Sequence, residues 1–310
     1  LEPVRLRPGM YIGGTDQRAL HHLVAEILDN SMDEAVAGEA TRIEIELEKD
    51  NFISISDNGR GIPVDPHPKF KEKSALEVIL TTLHSGGKFN GDAYETSGGL
   101  HGVGLSVVNA LSDILVIEVA RDKEIWCQNY ERGNPITPLK KIGKTSNRRG
   151  TKVRFHPDPQ IFKNKIQFNP TILYQMVRSK AYLFKGVEIR WQCDASLIKN
   201  NSKVPEIETL HFPGGLKDFL ILSLKGRNTL TPEPFTGGRD IAHKAGRVEW
   251  SIGWPIDENG YFNSYCNTIP TPEGGTHETG LKSAINRGLK SYGELVKNKA
   301  ASRINAEDIL

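Results

Sequence analysis

Residues 19–37, A-L-H-H-L-V-A-E-I-L-D-N-S-M-D-E-A-V-A, set Leu20, Leu23, Val24, Ile27, Leu28, Met32 and Ala35 three or four apart, which predicts an amphipathic helix stopped by Gly38. The period then changes to two. Ile43, Ile45 and Leu47 share one face of a strand over 41–47, a turn falls at Asp50-Asn51, and F-I-S-I-S puts Ile53 and Ile55 on one face of the next strand. Continuing that alternation carries Asp57 onto the isoleucine side. G-T-K-V-R-F-H at 150–156 sets Thr151, Val153 and Phe155 against Lys152, Arg154 and His156, a strand whose threonine faces inward. F-N-P-T-I-L-Y-Q-M-V-R-S-K-A-Y-L then reads as helix, V-E-I-R-W-Q as strand, and 199–203 as a loop or hairpin tip. After H-F-P-G-G-L the pattern restarts, with a helix at 215–225, strands near 247–254 and 261–269, and a long helix from about 277 to 298.

A chain of 310 residues is long enough for two domains, since single cores rarely grow beyond about 250 to 300 residues. No apolar run reaches the roughly 18 residues of a membrane span and no signal-peptide pattern opens the chain, so the expectation is a cytoplasmic protein with no membrane partner. Three well-separated cysteines, Cys127, Cys193 and Cys266, imply neither a disulfide framework nor a zinc site. A net charge of +2 is too mild to announce a nucleic-acid binder. Locally, Lys282, Arg287, Lys290, Lys297, Lys299 and Arg303 face only Glu278 and Glu294 between 276 and 303, which fits either a solvated helix face or a surface that meets DNA phosphates.

The chemistry concentrates at S-G-G-L-H-G-V-G, residues 97–104, which runs into the helical L-S-V-V-N-A-L. Its four glycines free the backbone to turn N–H groups toward an anion, and a following helix adds its positive dipole end there. The order G-x-x-G-x-G reverses the dinucleotide fingerprint, and Gly86-Gly87-Lys88 is followed by Phe89 where a Walker A loop needs Ser or Thr. On the first helix His22, Glu26, Asn30 and Asp33 fall in one polar row. That row is either the wet side of the helix or a site in which Glu26 takes a proton from water, His22 polarises it, and Asn30 offers a neutral oxygen to Mg²⁺. Asp57 opens D-N-G-R-G-I-P, and reads either as a turn with a local Asx bond or as an inward acceptor for the exocyclic amine of adenine, with Gly59 and Gly61 admitting a flat base. The Thr151 hydroxyl could support Asp57 or a water beside such a base.

E-I-L-D-N at 26–30, D-N-G-R-G-I-P at 57–63, G-G-L-H-G-V-G at 98–104 and G-T-K-V-R-F at 150–155, in that order, closely resemble the GHKL ATPases. The opening L-E-P-V-R-L-R-P-G-M-Y-I-G-G-T-D and the later P-T-P-E-G-G-T-H-E-T-G-L resemble the B subunits of bacterial type IIA topoisomerases, and the likeness covers the whole chain. D-N-S-M-D-E-A-V-A-G, S-A-L-E-V-I-L-T-T-L-H-S-G-G-K-F and S-Y-C-N-T-I-P-T-P-E-G-G-T-H resemble the topoisomerase IV branch more than the gyrase branch.

The resemblance implies an α+β chain: a GHKL (Bergerat) α/β sandwich over 1–207, then over 208–310 a truncated transducer domain like ribosomal protein S5 domain 2. It implies ATP and Mg²⁺ as cofactors, Glu26 as general base with His22 its helper, and Asn30 on the metal. It further implies Asp57 on the adenine amine with Thr151 behind it, and Arg60, Gly61, Ile62 and Pro63 as the base-pocket wall. Lys88, Tyr94 and the span Gly98, Gly99, Leu100, His101, Gly102, Val103, Gly104 and Leu105 would form the lid over the phosphates. Implied partners are the A subunit of topoisomerase IV, duplex DNA, a second copy joined by ATP-dependent dimerisation, and coumarin-type inhibitors that meet Arg60 and Pro63. Against the family pattern the N-terminal arm, the transducer lysine loop and the TOPRIM domain are missing, so ATP binding with poor turnover is expected. Two other readings stand beside this one: a histidine kinase, which needs an acceptor-bearing helix upstream, and a DNA clamp that binds nucleotide without hydrolysing it.

Overall fold

The structure is a computed structural model that describes residues 1–85, 104–163, 166–199, 202–241, 246–257, 260–266 and 268–309. In chain order its elements begin with helices α1 (Glu2–Leu6), α2 (Gly9–Ile12) and α3 (Gln17–Val36), followed by strands β1 (Arg42–Leu47) and β2 (Ile53–Asp57). Helices α4 (Ala75–Thr81) and α5 (Gly104–Ala110) precede β3 (Ser112–Arg121), β4 (Glu124–Glu131), β5 (Asn134–Pro135), β6 (Lys140–Lys144) and β7 (Gly150–Pro157). Then come α6 (Pro170–Leu183), β8 (Glu188–Cys193), β9 (Ile207–His211), α7 (Leu216–Ser223), β10 (Phe235–Ile241) and β11 (Gly246–Ile252). The chain finishes with β12 (Tyr265–Cys266), β13 (Ile269–Pro270) and α8 (Thr276–Leu295).

Among the described residues one nine-stranded sheet runs in the order β5-β4-β3-β7-β2-β1-β8-β9, with β6 also on β4. Only the β1–β8 pair in it is parallel. The alternation read from the sequence sets its faces: Ile43, Ile45, Leu47, Ile53, Ile55, Val153 and Phe155 are buried, while Glu44 and Lys152 look outward. Helices α3, α5 and α6 pack on the sheet. Helix α3 brings Leu20, Leu23, Val24, Ile27, Leu28 and Met32, each at most 2% exposed, against β1 and β2. Burying a side chain of this size contributes about 1.5–3 kcal/mol, so the stripe holds the helix firmly to the sheet.

Local chemistry sets the element ends. Asp16 caps α3 by accepting from Ala19 N at 2.9 Å. The β1–β2 turn uses left-handed backbone at Asp50 and Asn51, the types that tolerate it best. The polar stretch near 199–203 lies between β8 and β9, which pair antiparallel. Several expected bounds move: the helix of 215–225 is Leu216–Ser223, the strand of 247–254 is Gly246–Ile252, and among the described residues of 261–269 lie only the short β12 and the start of β13. The long C-terminal helix runs Thr276–Leu295, one residue earlier at its start and three shorter at its end.

The described chain forms two compact units, Leu1–Lys225 with Glu233–Ile252, and Gly226–Pro232 with Gly253–Leu310. In the first, Tyr182 stacks on Phe219 of α7 at 3.9 Å between ring centroids, and β10 pairs β11. The expected boundary after residue 207 falls at the first residue of β9, which pairs with β8 inside the large sheet. In the second unit Trp254 Nε1 donates to Ile309 O at 2.8 Å, and Ser264 and Thr271 share a hydroxyl contact beside Glu278 at the start of α8.

Candidate functional site

Helix α3 carries the row predicted for it. His22 Nε2 lies 3.3 Å from Glu26 Oε1, one turn apart, with His22 the more exposed of the two. Asn30 follows on the next turn and is half-buried. The fourth member differs: Asp33 is only 5% exposed, so it does not lie on the wet side of the helix. The position that continues the four-residue step is Glu34, and it is at the site.

Across from Glu26 stands Gly104, the first residue of α5. A Cβ built there would overlap Glu26 Oε2 and crowd Glu26 Cβ and Cδ, so the backbone of α5 reaches the carboxylate only because this residue is glycine. The C-terminal end of the glycine-rich segment and the acidic side chain of α3 therefore meet directly. Leu105, next in α5, is buried.

Asp57 ends β2 with its side chain on the isoleucine side, as the alternation predicts, opposite Ile43 of β1. Its Oδ1 accepts from Gly59 N at 2.9 Å and Thr151 N at 3.3 Å, and its Oδ2 accepts from Ser31 Oγ at 3.2 Å. Burial outweighs these donors and pushes the carboxyl up to about 6, with the Glu34 charge adding to the rise. The expected Asx bond is present, from Gly59 N to Oδ1, and the carboxylate faces inward with Oδ2 accepting from Ser31. Thr151 supports Asp57 through its backbone N–H, while its hydroxyl accepts from Ile62 N at 3.2 Å. Gly150 makes this approach possible, because at φ +112 its missing Cβ would collide with Asp57 O.

Arg60 folds back onto α3. Its Nη2 lies 2.7 Å from Glu34 Oε1, its Nε 3.1 Å from Oε2, and its own N–H donates to Oε2 at 3.1 Å. Burial raises the Glu34 carboxyl, but the Arg60 hydrogen bonds and charge win and hold it below its ordinary value. Gly61 O accepts from Arg121 Nη1 at 3.0 Å, and Pro63 is exposed at the rim. The sequence reading misses Ser31 and Glu34; the signal for Glu34 is the unbroken step 22, 26, 30, 34 along α3.

The structure thus joins His22, Glu26 and Gly104 in one group, and Asp57, Thr151, Ile62, Gly61 and Arg60 in another. Asn30 lies on α3 between Glu26 and Glu34. Ser31, which touches Asp57, is five residues from Glu26, or about 7.5 Å of helix rise. Lys88, Tyr94, Gly98, Gly99, Leu100, His101, Gly102 and Val103 lie outside the described residues. Among the described residues no three His, Cys, Asp or Glu side chains form a metal-binding cluster. No described helix is long and apolar enough to cross a membrane.

The chain as a whole matches a known class. Residues 15–161 match the family model described as histidine kinase-, DNA gyrase B- and HSP90-like ATPase, and residues 215–310 match the one described as DNA gyrase B. The DNA topoisomerase 4 B subunit of Bartonella bacilliformis is 56% identical over all of this chain, and the DNA gyrase B subunit of Thermotoga maritima is 44% identical over 95% of it. The chain spans 45% of the length of each. The crystal structure of the 43K ATPase domain of Thermus thermophilus gyrase B in complex with an aminocoumarin superposes with a TM-score of 0.77 at 38% identity, covering 96% of this chain and 74% of that one. The chain belongs to the family of the bacterial type IIA topoisomerase B subunits, in their N-terminal GHKL ATPase region.

Proposed function

We propose that this chain binds ATP with Mg²⁺ and hydrolyses it, serving as the ATPase region of a topoisomerase IV B subunit. The observation that carries the reading is the meeting of Glu26 with Gly104, because it puts a carboxylate at the root of the glycine-rich segment. Asp57 supports it from the other end of the site. With Oδ1 held by Gly59 and Thr151, Oδ2 would accept the adenine amine beside its bond from Ser31, and Gly61, Ile62, Pro63 and Arg60 would form the wall of the base pocket.

In this reading Glu26 takes a proton from the water that attacks the γ-phosphoryl group, and His22 at 3.3 Å orients the carboxylate. The residues present fit Mg²⁺: Asn30 supplies one neutral oxygen, which suits a hard cation that otherwise keeps waters and phosphate oxygens. Bound there, the ion would neutralise charge on the phosphates. Lys88, Tyr94 and the segment 98–105 would cover them and exclude water, so that positioning and charge stabilisation dominate. Lid opening would limit turnover.

Residues 1–207 would be the nucleotide-binding domain and 208–310 the transducer domain. In the whole protein, ATP would close a dimer of B subunits so that one duplex passes through another, with the A subunit supplying the cleavage; the activity would be decatenation and relaxation in the cytoplasm. The higher identity to topoisomerase IV relatives than to the gyrase relative, 56% against 44%, favours that branch over negative supercoiling. Coumarin-type inhibitors would compete at Arg60 and Pro63.

Calorimetric titration with a non-hydrolysable ATP analogue tests the site. We expect stoichiometric binding by the wild-type chain, weakened roughly 10- to 100-fold in Asp57→Ala, since a hydrogen bond to a charged group is worth about 1.5–3 kcal/mol. Equal binding by both would contradict the assignment. For the branch, the whole protein combined with each candidate A subunit should decatenate and not supercoil.

A further inference from the structure

Helix α6 is pinned to α3 by polar contacts at two heights. Near the start of both helices, His21 Nε2 accepts from Asn169 N, the α6 cap residue, at 2.9 Å. Further along both, Lys180 Nζ lies 2.6 Å from Asp29 Oδ1, and the two side chains are only 7% and 16% exposed. From His21 to Asp29 is eight residues, about 12 Å of rise, so the pins act at well-separated points on α3. Among the described residues Lys180 is the one lysine or arginine in the buried set. A buried ion pair seldom adds net stability, because desolvating both charges offsets their attraction. What it adds is direction. The apolar stripe of α3 resists separation from the sheet but is tolerant of small rotations and slides, whereas an ion pair at 2.6 Å is not.

We propose that Lys180 and Asp29 are a positioning pair that sets the rotation of α3 about its axis, and so the aim of Glu26 and Asn30, for the hydrolysis proposed above. Asp29 directly precedes Asn30 and follows Glu26 by three residues. At 100° per residue it stands about 60° from Glu26 and 100° from Asn30 around the helix, so pinning Asp29 to α6 fixes where both neighbours point. Neither Lys180 nor Asp29 touches nucleotide in this account. Asp57 is also held from outside α3, by the backbone N–H groups of Gly59 and Thr151.

The inference rests on the hydrolytic reading of the site, and the experiment separates the two. Lys180→Met, Asp29→Asn and the double variant are compared with wild type and Glu26→Ala for melting temperature, affinity for a non-hydrolysable ATP analogue, and phosphate release in a single turnover with protein in excess. Lys180→Met should melt lower and release phosphate roughly 10- to 100-fold more slowly, the scale of a misplacement of about 1 Å, with analogue affinity within about twofold of wild type. The double variant, which removes both charges of the pair, should regain the melting temperature but stay slow. Recovery of the rate together with the melting temperature, or wild-type rates in all three variants, would overturn the inference alone. Equal phosphate release by wild type and Glu26→Ala would overturn the hydrolytic reading and the inference with it.

Discussion

The carboxylate of Glu26 lies against the α-carbon of Gly104, seventy-eight residues away in sequence, with no room between them for a methyl group. The contact joins an acidic side chain of α3 to the C-terminal end of the glycine-rich segment.

Gly104→Ala should therefore separate stability from activity. The clash falls mainly on the far end of a side chain that can turn aside, so the fold should lose no more than about 1 kcal/mol. In the proposed hydrolysis a turned carboxylate would no longer face the attacking water, and single-turnover phosphate release should fall about 100-fold. Thermal melting and phosphate release on the same preparation check this; unchanged release would show that the aim of Glu26 does not matter.

Asp57 is raised from 3.8 to about 6 by burial, so between those values the folded chain binds its proton more tightly than the unfolded chain does. The wild type gains stability from this group as pH falls through that window, and carries the whole cost of the buried charge above about pH 6. His21 works the other way: burial lowers it from 6.5 to about 4, so stability is lost as pH falls between those values. The two slopes oppose each other. Asp57→Asn should stabilise the chain at pH 8 by about 1–2 kcal/mol, somewhat less than the full shift implies at about 1.4 kcal/mol per unit. Its advantage should vanish near pH 4, leaving a steeper acid limb due to His21. Nucleotide affinity in the wild type should weaken below about pH 6 as the acceptor is protonated. Urea titrations from pH 4 to 8 would refute this if the variant were less stable at pH 8.

Asp158 is fully buried and receives Arg5 Nη2 at 2.7 Å, Arg132 Nε at 2.9 Å and Gln160 N at 2.9 Å. Arg5 also donates to Ala110 O at the end of α5, so this carboxylate ties the first helix of the chain to the element that begins at Gly104. Asp158→Asn should cost about 2 kcal/mol, below the usual figure for breaking a buried pair because both arginines keep some contact with water. A loss under about 0.5 kcal/mol by urea unfolding would place the tie elsewhere.

Period and motif order make much of this legible in the sequence. The step of four along α3 sets His22, Glu26 and Asn30 in a row, and period two through Ile53 and Ile55 turns Asp57 inward, because both patterns are properties of a single element. What stays hidden depends on pairing between distant elements. The backbone N–H of Thr151 reaches Asp57 only because β7 lies beside β2 and Gly150 permits the approach. Ser31 looks like any helical serine until that aspartate is next to it. Arg5 and Asp158 are 153 residues apart and share no local signal, and the Lys180–Asp29 pair depends on how two helices lie together. The polar row also reads one residue short in the sequence, ending on Asp33 where the four-residue step leads to Glu34.

The most direct test of the whole account replaces Glu26 with Ala and measures analogue binding and single-turnover phosphate release on the same sample. Binding should stay within about twofold of wild type, because in the proposed site Asp57 would hold the adenine, while release should fall at least about 100-fold, the scale of a lost general base. Release at the wild-type rate, with binding intact, would contradict it.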